Sequence, residues 1–174
     1  MNATQPVGDA TRPTPEQIDA VMLAARVLVA VSAQSVASVE DRVTLPQLRI
    51  LVVIASRGPQ NLASVAQGLG VHPSNATRTC DKLVNAGLLH RSDDPADRRN
   101  LVLQLTASGQ QLVQNMIEHR RTAIANVLAT MAPQLRSDLA PALLAFAEAA
   151  GEIPPSRAWS LGWTTDHPGV SGKT

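Results

Sequence analysis

The chain has 174 residues, of which 44% are hydrophobic and 17% charged, and its formal net charge is +1. This composition supports a buried core. It argues against a disordered chain, a polybasic membrane binder and a highly basic nucleic-acid coat. Aromatic residues make up 2% and Cys80 is the single cysteine, which argues against base-stacking single-strand binders, an intrachain disulfide framework and a Cys-rich zinc module.

Residues 1–15 contain three prolines and almost no large apolar side chain, which predicts a mobile arm. This region has neither the basic start nor the apolar centre of a secretion signal. We find no apolar run that reaches the roughly 18 to 20 residues of a membrane span. The sequence therefore predicts a cytoplasmic protein without a membrane partner.

A helical pattern begins at Glu16 and predicts a long helix over residues 16–43. Its apolar residues recur at three- and four-residue steps and form one stripe: Ile18, Val21, Met22, Ala25, Leu28, Val29, Val36 and Val39. A capping box at residues 44–47 then predicts the start of a second helix over residues 48–56. This second helix is apolar nearly all round and therefore buried, and a Gly-Pro pair ends it.

Two short helices joined by a tight turn follow. They are predicted over residues 62–69 and 73–86, and a glycine stops each of them, which is the pattern of a helix-turn-helix. Residues 88–92 and 101–105 are strand-like, and the charged loop between them predicts a hairpin with a long tip. A helix-turn-helix followed by such a hairpin is a winged helix, predicted here over residues 44–105.

Thr106 is a favourable N-cap residue and opens a long helix that Pro133 ends. A last helix follows, so residues 106–150 form a second helical segment. Its apolar positions are Leu112, Val113, Met116, Ile117, Ala123, Ile124, Val127, Leu128, Met131, Leu135, Leu139, Leu143, Phe146 and Ala150.

The apolar stripes before and after the winged helix are too extensive for that domain to cover. They bury most economically against a second copy of the chain. The sequence thus predicts a homodimer with a mainly α (α+β) fold, in which the winged helix is flanked by long N- and C-terminal dimerisation helices. Residues 151–174 form a tail, and we expect its Trp159 and Trp163 to pack on the dimer. The alternative is a flexible extension whose tryptophans do not pack on the dimer.

The second helix of the helix-turn-helix carries candidate DNA-binding residues. One face is predicted to pack on the core through Ala76, Cys80, Leu83 and Ala86. The opposite face suits a major groove, where Asn pairs with adenine and Arg with guanine; it presents Ser74, Asn75, Thr77, Arg78, Asp81 and Lys82. Asp81 is a candidate to orient Arg78. The alternative interpretation is an ordinary solvated helix face.

The hairpin tip holds Arg98 and Arg99 beside Asp94 and Asp97. An arginine at a wing tip can enter the narrow minor groove, where the negative potential is strongest, and a neighbouring aspartate would brace the loop. The alternative is a solvated charge cluster, which contributes little to stability. Residues 61–105 carry five Lys or Arg against four Asp or Glu. Phosphate attraction must therefore come from geometry and helix N-termini rather than from bulk charge.

Three stretches, taken with the order of the elements, carry a resemblance to a known family. They are Leu69-Gly70-Val71 leading to Pro73-Ser74 and Thr77-Arg78; Asp81-Lys82-Leu83 leading to Gly87-Leu88; and Asp94-Pro95-Ala96-Asp97-Arg98-Arg99 leading to Leu105-Thr106. Over roughly residues 16–150 the chain resembles the MarR family of bacterial transcriptional regulators. The resemblance implies an obligate dimer built from terminal helices, double-stranded DNA binding, and release by a small ligand, oxidant or metal.

The resemblance also implies roles for single residues. Arg99 matches the wing arginine that enters the minor groove, and Asp97 matches its brace; the recognition-helix positions are matched by Ser74, Asn75, Thr77 and Arg78. His72 and Ala63 stand where the family usually has helix caps, and a missing cap costs about 1 kcal/mol. Ala76 is smaller than the usual β-branched residue. His72 is a candidate phosphate contact, with an exposed histidine of no special role as the alternative.

The effector suggested for the release step is a small lipophilic molecule or aromatic acid. Residues 119–121 (His-Arg-Arg) could attract an anionic effector, or they form a solvated face. Cys80 is predicted to be a packed structural cysteine rather than a thiol switch, because burial lowers thiol reactivity. The histidines are scattered in sequence, so neither a metal site nor a cofactor is expected.

The sequence also bears on two other functional classes, an enzyme and a protein-interaction module. The sequence contains no Gly-rich phosphate loop, no GxSxG and no HExxH motif, so we predict that the protein is not an enzyme. A winged helix used only as a protein-interaction or scaffold module, without specific DNA binding, would show an apolar outer face on residues 74–82. The sequence favours instead a DNA-binding transcriptional regulator, a ligand-responsive repressor that acts as a homodimer on a pseudo-palindromic operator.

Overall fold

The computed structural model describes residues 12–93 and 101–151. The elements in these ranges are α1 (Pro15–Ala37), α2 (Leu45–Arg57), β1 (Gln60–Asn61), α3 (Leu62–Leu69), α4 (Pro73–Asn85), β2 (Leu89–Asp93), β3 (Leu101–Leu105), α5 (Ala107–Ala129) and α6 (Pro133–Ala149). The strands form an antiparallel sheet in the order β1-β3-β2. The predicted mainly α fold with a winged helix-turn-helix is confirmed. Most of the predicted N-terminal arm and the two tail residues Trp159 and Trp163 lie outside the described residues.

Helix α1 is shorter than the apolar stripe that predicted it. The stripe runs to Val39, but the helix ends at Ala37, and Val39 and Val43 are buried in the turns that follow. Backbone hydrogen bonds hold this segment in successive turns. The Val39 N–H donates to the Val36 carbonyl (3.1 Å), and the Val43 N–H donates to the Val39 carbonyl (3.1 Å). Helical spacing of apolar residues therefore continues beyond the helix itself.

The expectation that no stretch resembles a membrane span was wrong for α1. The helix has 23 residues and is apolar enough, by length and composition, to cross a membrane. Length and composition alone do not distinguish a membrane span from a helix that packs within a protein. The C-terminal half of α1 packs against α5, where Val31 and Ser35 are buried.

Helix α2 lies at the centre of the core, as its apolar sequence predicts. Gln47 begins it by accepting, through Oε1, a hydrogen bond from the Thr44 N–H (2.8 Å). It packs against α3, α4, α5 and β3. Its buried residues are Leu48, Ile50, Leu51, Val52, Val53, Ile54 and Ser56. Helix α2 is thus the element on which the rest of the winged helix is assembled.

Strand β1 escaped the sequence analysis. It consists of Gln60 and Asn61, which pair antiparallel with Leu103 and Val102 of β3. Two residues are too short for the alternation of apolar and polar side chains that reveals a strand. Asn61 also begins α3, because its Oδ1 accepts a hydrogen bond from the Ser64 N–H (2.8 Å).

The start of α5 is fixed to the end of the helix-turn-helix. Thr106 Oγ1 donates to the Gly87 carbonyl (2.6 Å), and the Thr106 N–H donates to the Leu88 carbonyl (3.1 Å). One turn later, Gly109 lies so close to this backbone that an added Cβ would be 2.1 Å from the Leu88 oxygen. The long helix and the winged helix are therefore in direct backbone contact.

The outer helices keep much of their apolar surface exposed. Helix α6 has no buried residue, and the first half of α1 is exposed nearly throughout. The exposed apolar side chains of these two helices include Ile18, Val21, Met22, Leu23, Val27, Leu28, Val29, Leu135, Leu143, Leu144 and Phe146. Most of these exposed side chains belong to the apolar stripes that the sequence predicts to be buried in a homodimer.

Candidate nucleic-acid interface

Helix α4 has an apolar inner face that anchors it to the core. Ala76, Cys80 and Leu83 are buried, as predicted. Ala86 is exposed, contrary to the prediction, because the helix ends at Asn85 and Ala86 is its C-cap. The three buried residues, spaced by four and three positions, set which side of α4 points outward.

The outer face of α4 is polar. Ser74, Asn75, Arg78 and Lys82 are exposed, and Thr77 and Asp81 are half-buried. Thr77 Oγ1 donates to the Pro73 carbonyl (2.9 Å), so this hydroxyl keeps only its acceptor capacity for a ligand. All six residues predicted for the outer face thus lie off the core, with Thr77 and Asp81 at its edge.

The N-terminus of α4 is capped by an imidazole. His72 Nδ1 accepts from the Ser74 N–H (3.3 Å) and lies 2.8 Å from Ser74 Oγ. The prediction that α4 and α3 lack their helix caps, at His72 and Ala63, was therefore wrong. His72 itself takes the capping position at α4, and Asn61 caps α3.

The prediction that Asp81 orients Arg78 was also wrong. Asp81 Oδ1 accepts instead from the guanidinium of Arg91 on β2, and both side chains are half-exposed. This ion pair links α4 to the first strand of the wing. Sequence reasoning missed Arg91, because a partner ten residues away on a strand leaves no local pattern.

Cys80 precedes Asp81 on α4 and is fully buried. Burial raises the pKa of the Cys80 thiol to about 11; Arg91 acts in the opposite direction and Asp81 adds to the rise. A thiol with this pKa is almost entirely protonated near neutral pH and is a poor nucleophile. These features favour the packed cysteine over the thiol switch.

The predicted wing residues lie outside the described part of the chain; they are Asp94, Asp97, Arg98 and Arg99. The strands that carry the wing are described, and their register runs from Leu89 opposite Leu105 to Asp93 opposite Leu101. The minor-groove and bracing roles of the wing residues stay predictions.

The His-Arg-Arg run of α5 is divided between two environments. The guanidinium of Arg120 turns inward and donates to Ser35 Oγ of α1 through Nε (3.3 Å) and Nη2 (3.2 Å), and burial lowers its pKa. His119 and Arg121 are exposed, and Arg121 Nε lies 3.9 Å from Glu118 Oε2. The run is thus neither wholly a solvated face nor a single cationic patch. Within residues 12–93 and 101–151, no three His, Cys, Asp or Glu side chains group as metal ligands.

Comparison with known proteins places this architecture in a family. A family model described as "MarR family" matches residues 43–101, the segment from the turn before α2 to the start of β3. The crystal structure of RV1404 from Mycobacterium tuberculosis is 44% identical to the chain, with a TM-score of 0.66, over 84% of this chain and 100% of that one. The chain belongs to the MarR family.

Two other relatives of this MarR-family protein are named as transcriptional regulators. The transcriptional regulator Tm0710 from Thermotoga maritima is 26% identical, with a TM-score of 0.68, over 76% of this chain and 96% of that one. The curated relative YfiV of Bacillus subtilis, an uncharacterized HTH-type transcriptional regulator, is 26% identical over 52% of this chain and 57% of its own length. The chain therefore spans little more than half the length of that relative.

Proposed function

We propose that this protein is a double-stranded DNA-binding transcriptional regulator. The observation that carries the proposal is the outer face of α4, on which Ser74, Asn75, Arg78 and Lys82 are exposed above a buried apolar face. Side chains of this kind on a protruding helix can hydrogen-bond base edges in a major groove. A scaffold module would need an apolar face at the same place. Membership of the MarR family supports the proposal.

The active form proposed here is a homodimer on a pseudo-palindromic operator. The apolar surfaces of α6 and of the first half of α1 support it, because a monomer rarely leaves so many large apolar side chains exposed on its helices. A two-fold dimer would present two α4 helices to successive major grooves, about 34 Å apart. His72 and Lys82 would contact phosphates, and Arg99 would enter the minor groove with Asp94 and Asp97 as braces.

Repression relieved by a small effector is the proposed mode of regulation. A cleft of about 480 Å³ lies between one part of α5 and the winged helix, and its lining combines apolar Ile54, Leu105 and Val113 with Gln104, Gln110 and Gln114. Such a mixed lining suits a small lipophilic molecule or aromatic acid. A bound effector would change the orientation of the winged helix relative to α5. The distance between the two α4 helices of the dimer would then change as well. We expect no catalytic activity and a cytoplasmic location.

Selection of bound duplexes from random DNA, repeated at two salt concentrations, tests the function. The expected result is an inverted-repeat consensus with half-sites about one helical turn apart. A protein that prefers no duplex over heparin would contradict the proposal.

Arg78→Ala sharpens that test at one residue. The variant should lose about 1–3 kcal/mol of discrimination at one base pair in each half-site, with the rest of the consensus intact. Arg121→Ala, on the exposed face of α5, is the matched control and should leave the consensus unchanged. Uniform weakening in the Arg78 variant would identify Arg78 as a phosphate contact instead.

A further inference from the structure

A cationic cleft lies beside the recognition helix, where the start of α2 meets α4. It has a volume of about 380 Å³ and an apolar floor that includes the buried Ile50 and Ala76. Its rim carries three cations, Arg49 from α2 and Arg78 and Lys82 from α4, and the described residues that line it include no carboxylate. Arg49 is not among the site residues predicted from the sequence.

Arg49 is held at this rim by the protein backbone. Its Nη2 donates to the carbonyl of Leu69, the last residue of α3 (3.3 Å). A guanidinium has five N–H donors in a planar fork, so this bond fixes its position and leaves donors for a second partner. The half-buried setting of Arg49 reduces the entropy lost when a ligand binds.

The two flanks of α4 differ in how their charges are balanced. On the flank toward the wing, Asp81 neutralises Arg91. On the flank toward α2, Arg49, Arg78 and Lys82 surround one cleft without a described carboxylate. An anion placed beside Arg49 and Lys82 relieves the mutual repulsion of the cations in this cleft, and a phosphodiester oxygen matches the donor geometry of a guanidinium.

We infer that Arg49 is a phosphate-contacting residue of the DNA interface, which thereby extends from α4 onto α2. Arg49 and Lys82 hold the backbone of one strand along this flank while Arg78 reaches the base edges. The inference rests on the proposed function and adds to it a contact that sets the register of α4 on the duplex.

The salt dependence of binding separates a phosphate contact from a purely structural role. The probes are a duplex recovered by the selection above and a mixed-sequence duplex of the same length. Arg49→Gln and Arg49→Met remove the charge, and Met also keeps the aliphatic stem over the cleft floor. Arg49→Lys keeps the charge but loses the planar set of N–H donors of the guanidinium. Arg121→Gln is the control, because it removes a cation about 21 Å along α5 from the start of that helix.

The expected result is a smaller salt dependence for both neutral variants. The slope of log K against log salt should fall by about 0.9 per protomer, or about 1.8 for a dimer, on both duplexes. Between 50 and 200 mM salt, a neutral variant should then lose roughly 12-fold less affinity than the wild type. Arg49→Lys and Arg121→Gln should keep the wild-type slope.

An unchanged slope in a folded neutral variant, whatever its affinity, would overturn the inference and leave Arg49 as a residue that only positions the α3–α4 turn. The proposed function would survive that result, because the wild type would still select its duplex. If the wild type binds no duplex in preference to heparin, the proposed function fails as well.

Discussion

The winged helix and the outer helices use their apolar residues in opposite ways. From α2 to the start of α5, apolar side chains close into one buried cluster within a single chain. Helix α6 and the first half of α1 bury almost none of theirs. The first region gains its hydrophobic stabilisation by folding alone, whereas the proposed dimer would supply it to the second region. We therefore expect the stability of the winged helix and the assembly of the dimer to be separable properties.

The largest effect is expected in the winged-helix core. Leu51 is fully buried at the centre of α2, so Leu51→Ala should lower the free energy of unfolding by about 2–5 kcal/mol. Urea denaturation should report this loss at every protein concentration. A loss as small as that of a surface substitution would show that the region is not the autonomous core.

A charge on the outer helices should act on assembly instead. Phe146 is 56% exposed in the single chain, and Phe146→Asp would remove about 1.5–3 kcal/mol of apolar burial from each protomer of a dimer. Sedimentation should then show monomers, with secondary structure unchanged and operator binding lost. Leu101→Asp, at an equally exposed site on β3 (56%), is the control and should stay dimeric. Retention of the dimer by the Phe146 variant would exclude α6 from the interface.

One added methyl group can disturb the backbone contact between α5 and the winged helix at Gly109. In Gly109→Ala the new Cβ would lie 2.1 Å from the Leu88 oxygen, so α5 must shift at a cost of about 1–3 kcal/mol. The variant should remain dimeric but bind operator more weakly, because the reading helices change their separation. Ser108→Ala, exposed one residue earlier, should leave melting temperature and binding unaltered. Equal operator affinity of the two variants would show that the contact between Gly109 and Leu88 does not set the separation of the two α4 helices.

The smallest effect concerns the buried thiol of Cys80 on the inner face of α4. Burial raises the Cys80 pKa from 9.0 to about 11, so the folded protein retains a proton that the unfolded chain loses. Stability from this group is therefore present below about pH 9 and is lost as the pH rises toward about 11. Alkylation by iodoacetamide should be slow in the native protein at pH 8 and fast after denaturation. Rapid native alkylation at pH 8 would revive the thiol switch.

The sequence was sufficient for features that depend on neighbours along the chain. The capping box at residues 44–47, the hairpin strands and the buried face of α4 follow from local periodicity and helix signals. Each is observed, except that Ala86 at the end of the α4 face is exposed. Strand β1 was missed because pairing with β3, rather than its own two residues, makes it a strand.

The missed parts of the site depend on contacts between elements distant in sequence. Arg91 meets Asp81 across a strand and a helix, and Arg49 meets Leu69 across 20 positions. Composition and spacing carry no signal for such partners. His72 was misjudged for a different reason: an imidazole nitrogen can accept a backbone hydrogen bond as a serine oxygen does, although histidine is not among the usual capping residues.

Sedimentation equilibrium of the protein with one selected duplex tests the central claim most directly. We expect two chains on each duplex at saturation, and a free protein that is dimeric at the same concentration. One chain per duplex, or a free monomer that binds the full inverted repeat without dimerising, would contradict it.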